Sequence, residues 1–275
     1  MNNLSSQPLL EVHNLVKCFH GGRQKRIVAV DGLSFQLRAG ESLGLIGESG
    51  CGKSTLARLI LGLEQADKGA ILLEGQSAQK LLKRDRLAYY QIVQMVFQNP
   101  YDVFDQRLTI GEILLRPLQL HGLVSSKAQG LAKAMQALEQ AGLLPAEDYI
   151  RRYPHELSGG QLQRIAILRA MLLSPRLLIA DEPVTNLDVS VRAEVINMLL
   201  DLQAASNMAL IFISHDLATT AYLSDRLMVM QAGKIVEEGS TEKILTDAQD
   251  PYTQLLLENC QGLKRSQRKK QSPLA

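Results

Sequence analysis

Short apolar segments occupy the first quarter of the chain and predict β-strands. In residues 10–12, 33–37 and 71–73, apolar and polar side chains alternate, which is typical of strands with one buried face. Residues 42–46 form an apolar run that ends in glycine, and helical spacing follows as far as Gly62. This order predicts a buried strand, a glycine-rich turn and a helix.

The periodicity changes in the middle of the chain and then changes back. Helical spacing covers residues 110–115, 128–141 and 161–173; later come strands at 177–180 and 209–213, a helix at 191–202 and a hairpin about Ala232 and Gly233. The alternation predicts an α/β fold with a helical insertion. We expect a core from 1–98 and 171–245, a helical subdomain at 99–170 and a C-terminal extension at 246–275.

Composition narrows the class of protein. The 275 residues are 46% apolar and 21% charged, with a net charge of +2, which excludes disorder and disulfide scaffolds. Cys18, Cys51 and Cys260 form no CxxC pair, and with no signal peptide or membrane helix in the sequence we expect a reducing, cytoplasmic location. Residues 261–275 hold five basic residues and no acidic one; a solvated terminus is expected, and attraction to anionic lipid is the alternative.

The strongest motif follows the strand at 42–46. It reads Gly47, Glu48, Ser49, Gly50, Cys51, Gly52, Lys53, Ser54, which matches G-x-x-x-x-G-K-[ST] at every fixed position. The glycines let backbone N–H groups surround an anion, and the helix that follows directs its positive end at it. We expect Lys53 to neutralise phosphate and Ser54 to bind Mg²⁺; the alternative is a glycine-rich turn without function.

A second candidate lies at the end of the apolar strand 177–180. Asp181 and Glu182 follow it directly, and ionised groups at a buried strand end require partners. We expect Asp181 to hold Mg²⁺ through water and Glu182 to orient and deprotonate an attacking water. The alternative is an ordinary acidic helix start.

A third motif provides another anion site. Leu157 is followed by Ser158, Gly159, Gly160 and Gln161 at the start of a helix, where Ser158 is a good N-cap and the glycines expose N–H groups. One chain therefore has two phosphate-binding helix starts but one phosphate-loop lysine. A head-to-tail dimer, in which each nucleotide lies between two chains, explains both.

With these motifs the sequence resembles the ATP-binding cassette (ABC) ATPases over nearly its whole length. The resemblance implies a P-loop NTPase core with a RecA-like sheet, an antiparallel β subdomain and a helical signature subdomain. It also implies ATP and Mg²⁺ as cofactors. For single residues, the resemblance implies that 47–55, ending at Thr55, bind ATP and that Phe19 stacks on adenine. It also implies that Gln98 contacts Mg²⁺ and that His215 reaches the γ-phosphate. Asp188 then belongs to the D-loop.

Two positions depart from the family pattern. Thr185 and Asn186 stand where Ser and Ala are usual, and Val184 replaces a common Thr. Neither change removes a group from the phosphate or the water. Glu182 and His215 are both present, so we expect a hydrolysing site.

The kind of cassette follows from what the chain lacks. It has no fused membrane helices, no long coiled coil and one cassette, which favours the separate ATPase subunit of an importer. We expect membrane permease subunits and a second, different ATPase chain as partners, with an extracytoplasmic solute-binding protein acting indirectly. A location at the cytoplasmic face of the inner membrane follows. The alternatives are a soluble nucleotide switch, or an ATPase acting on nucleic acid or ribosomes.

Three segments resemble the oligopeptide, dipeptide and nickel importer ATPases. They are residues 153–161, 98–101 and 250–256, the last with Pro251, Tyr252 and Thr253. The chain ends soon after the third segment and offers only Cys260 there. We therefore prefer nickel or a metal chelate over a peptide as the transported substrate.

Overall fold

The computed structural model describes residues 7–21 and 25–259 of the chain. Its first sheet has four antiparallel strands in the order β2-β1-β4-β5. These strands are β1 (Leu10–Gly21), β2 (Lys25–Leu37), β4 (Lys68–Leu73) and β5 (Gln76–Ser77). Leu10 pairs with both Leu37 and Leu73, so the apolar positions of the alternating segments meet on one buried face.

The second sheet has six strands in the order β10-β9-β3-β8-β7-β6. They are β3 (Ser42–Ile46), β6 (Val93–Val96), β7 (Leu177–Asp181), β8 (Ala209–Ser214), β9 (Arg226–Gln231) and β10 (Lys234–Ser240). All its pairings are parallel except β9 with β10. Every residue of β3, β7 and β8 is buried, as expected where helices cover both faces of a parallel sheet.

The register of the parallel strands brings three chain segments to one edge. Ile46 pairs with Ser214, and Asp181 pairs with Ile213. The residues that follow β3, β7 and β8 therefore lie side by side at the carboxyl ends of the strands, where α/β sheets bind ligands.

Helices surround the sheets and form a group of their own. Those against the sheets are α1 (Lys53–Leu61), α2 (Ala78–Arg84), α3 (Arg86–Ile92), α8 (Val189–Ser206), α9 (Leu217–Leu223), α10 (Thr241–Thr246) and a C-terminal helix over residues 251–259. The group between β6 and β7 contains α4 (Ile110–Leu120), α5 (Lys127–Gln140), α6 (Ala146–Tyr149) and α7 (Gly159–Met171), with 3₁₀ turns at Pro100–Asp102 and Pro154–Glu156.

Separate apolar clusters hold these layers together. The largest lies between the two sheets and α1 and includes Leu10, Leu45 and Leu56. The group α4–α7 has its own cluster, with Leu114 and Ile165 fully buried. This packing supports a distinct helical subdomain, while the boundaries expected at residues 99, 171 and 246 stay a prediction.

The predicted strands and helices agree with the structure, and several short elements were not predicted. The α/β expectation is confirmed, as are the strand at 42–46, the helix that ends before Gly62 and the hairpin about Ala232 and Gly233. Among residues 7–21 and 25–259, no helix is both long and apolar enough to cross a membrane. Cys260 and the basic segment 261–275 lie outside the described residues.

Candidate functional site

The phosphate loop fits between β3 and α1 only because two of its positions are glycine. A Cβ at Gly47 would lie 2.1 Å from the carbonyl oxygen of Met230, and one at Gly52 would lie 2.0 Å from that of Ala29. Gly52 also has a φ of +113°, which side chains rarely adopt. The loop backbone thus packs against β2 and β9 without intervening side chains.

Lys53 is turned back onto the loop and is 5% exposed. Its Nζ donates to the carbonyl oxygens of Gly47 at 2.7 Å and of Glu48 at 2.9 Å. The N–H of Cys51 also donates to Glu48, at 3.2 Å. The ammonium group is therefore held inside the loop, where a triphosphate would meet it.

Hydrogen bonds tie the loop to both sheets. The carbonyl of Cys51 accepts the N–H of Gly233 at 2.9 Å, and the carbonyl of Gly233 accepts the N–H of Asp31 at 2.9 Å. Gly233 lies in the β9–β10 turn and Asp31 in β2. The phosphate loop thus has a fixed position relative to the antiparallel sheet.

A cluster of polar side chains converges on Glu182. The Gln98 Nε2 donates to its Oε2 at 2.9 Å, and the Thr185 hydroxyl donates to the same oxygen at 3.1 Å. The His215 Nδ1 lies 3.3 Å from the other oxygen, Oε1. Glu182 itself has a φ of +48°, a conformation that is costly for a side-chain-bearing residue and is found most often at functional sites.

Asp181 is the buried carboxylate of the site, at 8% exposure. Burial raises the pKa of its carboxyl group and the Glu182 charge raises it further, while the Ser54 hydroxyl and the Lys53 charge act in the opposite direction. Its Oδ1 is buried and has no hydrogen-bond partner among the described residues. An orphaned carboxylate oxygen beside a serine hydroxyl fits a hard cation such as Mg²⁺.

The signature residues 158–161 form the capped start of α7. The Ser158 hydroxyl accepts the Gln161 N–H at 3.3 Å, and the Gln161 Oε1 accepts the Ser158 N–H at 3.0 Å, which is a complete capping box. Gln161 also donates from Nε2 to the Tyr149 hydroxyl at 3.0 Å. In the described part of the chain, no hydrogen bond or ion pair joins this segment to the chain's own phosphate loop.

The remaining predicted residues lie apart from this cluster. Phe19 is on β1, 38% exposed, with the Lys17 Nζ 5.0 Å from its ring centre. Asp188 is exposed at the N-cap of α8 and makes no capping hydrogen bond. A Cβ added at Gly50 would have none of the described atoms within 4 Å. The roles given above to these residues and to the Glu182 cluster stay predictions.

Three site residues were missed from the sequence. Thr185 was noted only as a departure, but its hydroxyl bonds Glu182. The Tyr101 hydroxyl donates to the Leu157 carbonyl at 3.2 Å and so joins the segment after Gln98 to the signature. The Tyr252 hydroxyl accepts the N–H of Glu48 at 2.9 Å. The sequence singled out Thr185 as a departure and the other two within resembling segments, but no pattern in it gave these hydroxyls their partners.

The site combines a phosphate loop, a buried aspartate beside Ser54 and a glutamate bonded by Gln98. All three lie at one edge of a parallel sheet, and together they define a P-loop nucleoside triphosphatase. The sequence model of the family described as "ABC transporter" matches residues 30–185. The chain belongs to this family, and the resemblance inferred from its motifs is confirmed.

Three known proteins illustrate the similarity. The putative oligopeptide transport ATP-binding protein YkfD of Bacillus subtilis (strain 168) is 42% identical over 250 residues, which are 91% of this chain and 75% of YkfD. The glutathione import ATP-binding protein GsiA of Escherichia coli O157:H7 is 44% identical over 260 residues, which are 92% of this chain and 41% of GsiA. The dimeric structure of MJ0796, a bacterial ABC transporter cassette, has a TM-score of 0.76 at 25% identity and covers 84% of this chain and 98% of that one.

The fold and cofactor predictions are therefore confirmed. The chain has the P-loop core, antiparallel sheet and helical subdomain of an ABC cassette. It is an ATPase of this family, with ATP as its nucleotide and Mg²⁺ as its metal ion.

Proposed function

We propose that this chain is the ATP-hydrolysing subunit of an ABC importer and lies on the cytoplasmic face of the inner membrane, bound to separate permease subunits. The observation that carries the proposal is the convergence of Gln98, Thr185 and His215 on Glu182. Those contacts orient a carboxylate at the strand edge that also holds the phosphate loop. The import function rests on relatives named for oligopeptide transport and glutathione import.

Within the site, the side chains divide the chemistry between them. Lys53 binds the triphosphate from inside the loop, and Gly47 to Thr55 surround it with backbone N–H groups and hydroxyls. Ser54, Asp181 and Gln98 would hold Mg²⁺, which supplies positive charge that offsets the triphosphate.

Glu182 is placed to act as the general base. Hydrogen bonds from Gln98 and Thr185 occupy its Oε2, so its Oε1 is left to take a proton from water. Oε1 faces the His215 Nδ1 at 3.3 Å. His215 therefore holds the carboxylate in place. It directly follows β8 at the same edge of the sheet, where it can contact the terminal phosphate.

The complete site requires a second cassette. The Ser158–Gln161 helix start is exposed at Ser158 and makes no bond to its own phosphate loop among the described residues. A head-to-tail pair would direct it at the partner's nucleotide, and the dimeric state of MJ0796 supports such a pair. We propose that the partner is a different ATPase chain, so that the transporter holds a heterodimer.

For the transported substrate we propose a small peptide. The named relatives are described as ATP-binding proteins of oligopeptide transport, in one case putative, and of glutathione import, and these names favour the peptide alternative over nickel. The nickel preference stays a prediction. An extracytoplasmic solute-binding protein would deliver the substrate to the permease.

An uptake assay in a deletion strain tests the proposal. Cells that lack the chain should lose uptake of labelled oligopeptide or glutathione and should recover it with the wild-type gene but not with Glu182→Gln. Labelled nickel, measured in the same strains, decides between the two substrate classes. Unchanged uptake of all three substrates in the deletion strain would contradict the importer function.

A further inference from the structure

The segment after Asp250 contacts the phosphate loop although it lies far outside the residues that match the family model. Tyr252 is 8% exposed, and its hydroxyl accepts the N–H of Glu48 at 2.9 Å. The match to the family ends at residue 185. No catalytic role assigned above uses this tyrosine.

The position of Tyr252 is set by polar contacts on both sides. The Glu237 carboxylate, in β10, accepts the N–H of Gln249 at 2.7 Å and of Asp250 at 3.2 Å. Asp250 in turn caps the C-terminal helix, because its Oδ1 accepts the N–H of Tyr252 at 2.9 Å and of Thr253 at 3.3 Å. The ring therefore projects from a helix start that is itself fixed to the parallel sheet.

Apolar contacts attach the same helix to residues that lie next to the phosphate loop and next to His215 in the sequence. Leu256 and Leu257 pack against a buried cluster that contains Ile46 and Leu217. Ile46 precedes Gly47 of the phosphate loop, and Leu217 lies two residues after His215. The C-terminal helix thus packs behind the phosphate loop and behind His215 at the same time.

The contacted peptide group is the one that holds Lys53. The peptide that joins Gly47 to Glu48 donates from its N–H, which belongs to Glu48, to Tyr252 at 2.9 Å. Its carbonyl, which belongs to Gly47, accepts from the Lys53 Nζ at 2.7 Å. Both ends of the peptide are therefore bonded. Burial raises the pKa of the Tyr252 hydroxyl, so the acceptor is a neutral phenol at neutral pH.

We propose that Tyr252 is a positioning residue for ATP binding, which holds the Gly47–Glu48 peptide so that the phosphate loop and Lys53 are already arranged for the triphosphate. A loop that is ordered in advance loses less conformational entropy when ligand binds. Since linkage is reciprocal, bound ATP also stabilises the docked C-terminal helix.

The direct test is Tyr252→Phe in the full chain, which removes only the hydroxyl. We expect the dissociation constant for a fluorescent ATP analogue with Mg²⁺ to rise about threefold to tenfold, the size expected for one buried hydrogen bond. In the assembled ATPase, KM for ATP should rise by a similar factor and kcat should change less than about twofold, because Glu182 and its partners are untouched.

Tyr89→Phe is the matched control. The Tyr89 hydroxyl is also buried and donates to the Ile60 carbonyl at 2.5 Å, at the far end of α1. This variant should lower the melting temperature and leave the ATP dissociation constant unchanged. Equal weakening of ATP binding by both variants would mean general destabilisation and would overturn the proposal.

A second variant tests the route through β10. Glu237→Ala removes the acceptor that holds Gln249 and Asp250 and should weaken ATP binding in the same direction. The double variant should be no weaker than Tyr252→Phe alone, because both changes release one contact. Wild-type affinity in Tyr252→Phe would show that Tyr252 only packs and would overturn the proposal. Strictly additive effects in the double variant would show that Glu237 does not act through Tyr252 and would overturn the route through β10.

Discussion

At the residue scale, the arrangement of the site depends on a few polar contacts to one carboxylate. Glu182 accepts from Gln98 and Thr185 on Oε2 and faces His215 on Oε1, so its side chain is held in one orientation. Its positive φ turns the chain sharply after β7. We propose that this turn directs Asp181 and Glu182, which are adjacent in sequence, to different tasks.

Replacing Glu182 by Gln should stop turnover without loss of ATP binding. The amide keeps the size of the side chain but cannot accept the proton of water, so we expect kcat to fall at least about 100-fold. Phosphate release and binding of a fluorescent ATP analogue measure the two properties. Glu139→Gln, an exposed change in α5, is the control; normal turnover in Glu182→Gln would exclude this residue as the base.

Replacing Lys53 by Ala should act on binding itself. The change removes a buried charge that bonds two loop carbonyls and would bond the triphosphate, so ATP affinity should fall about 10-fold or more. Equilibrium binding checks this expectation. Lys80→Ala, at an exposed position of α2, should bind normally, and wild-type affinity in Lys53→Ala would refute the phosphate role.

The sequence predicted residues whose chemistry has a fixed spacing and missed those that depend on tertiary contact. Lys53, Ser54 and Asp181 follow from local motifs. The hydroxyls of Tyr101 and Tyr252 act on residues 56 and 204 positions away, and no local pattern distinguishes such a tyrosine from one that fills the core.

At the scale of elements, long periodic segments were predictable and short ones were not. The strand β3 and helix α1 follow from a buried run, a glycine loop and a terminal glycine. Helices α2, α3 and α10 have seven, seven and six residues, too few for a clear period. The four-residue β6 exists because it pairs with β7, and that pairing is set by the whole sheet.

The two glycines of the signature, Gly159 and Gly160, have different surroundings in the structure. A Cβ at Gly160 would lie 2.2 Å from the Val191 Cγ1, whereas the nearest atom to one at Gly159 is 3.9 Å away. Gly160 therefore allows α7 and α8 to pack closely. Gly159 has no such constraint, and we propose that it lies against the partner's nucleotide.

Gly160→Ala should destabilise the fold by about 1–3 kcal/mol, as overpacking does. Urea denaturation measures the free energy of unfolding. The double variant Gly160→Ala with Val191→Ala should recover most of the loss, because the second change removes the clashing methyl groups. Destabilisation that Val191→Ala does not relieve would mean that the α7–α8 contact is not the cause.

The docked C-terminal segment should also give a pH dependence. Partial burial raises the pKa of the Glu237 carboxyl, but hydrogen bonds from the backbone N–H groups of Gln249 and Asp250 act in the opposite direction, and the pKa lies below its ordinary value. A lowered folded-state pKa adds stability above the unfolded-state pKa, and that stability is lost as the pH falls through the folded value.

Glu237→Gln should therefore flatten the acid side of the stability profile. Urea unfolding from neutral to acidic pH, compared with the wild type, measures the effect. The two proteins should differ most near neutral pH and converge as acid protonates Glu237. A constant difference at every pH would contradict a contribution from ionisation.

At the scale of the whole molecule, the chain carries both parts of the proposed shared site, and its described residues do not join them. The phosphate loop and the Glu182 cluster lie at the edge of the parallel sheet, while Ser158 lies at the start of α7 in the helical group. The sequence has two anion sites but one phosphate-loop lysine, and from this the sharing of each nucleotide by two chains could be inferred. That Ser158 lies apart from the phosphate loop of its own chain could be seen only from the fold.

Ser158→Arg should separate ATP binding by the chain's own phosphate loop from hydrolysis at the site shared with a partner. The isolated chain should bind ATP as before, and the assembled transporter should lose hydrolysis because a bulky side chain enters the shared site. Ser126→Arg removes the equivalent cap of α5, whose hydroxyl accepts the Gln129 N–H at 3.2 Å, and should keep activity. Weak ATP binding by the isolated Ser158→Arg chain would place the serine in its own chain's site instead.

The hydrogen bonds from Cys51 through Gly233 to Asp31 join the phosphate loop to the sheet that carries Phe19. With Phe19 stacked on adenine, as the resemblance implies, these bonds would couple recognition of the base to binding of the phosphates. We therefore expect a nucleotide with a poorly positioned base to bind the phosphate loop less tightly, even with its phosphates intact.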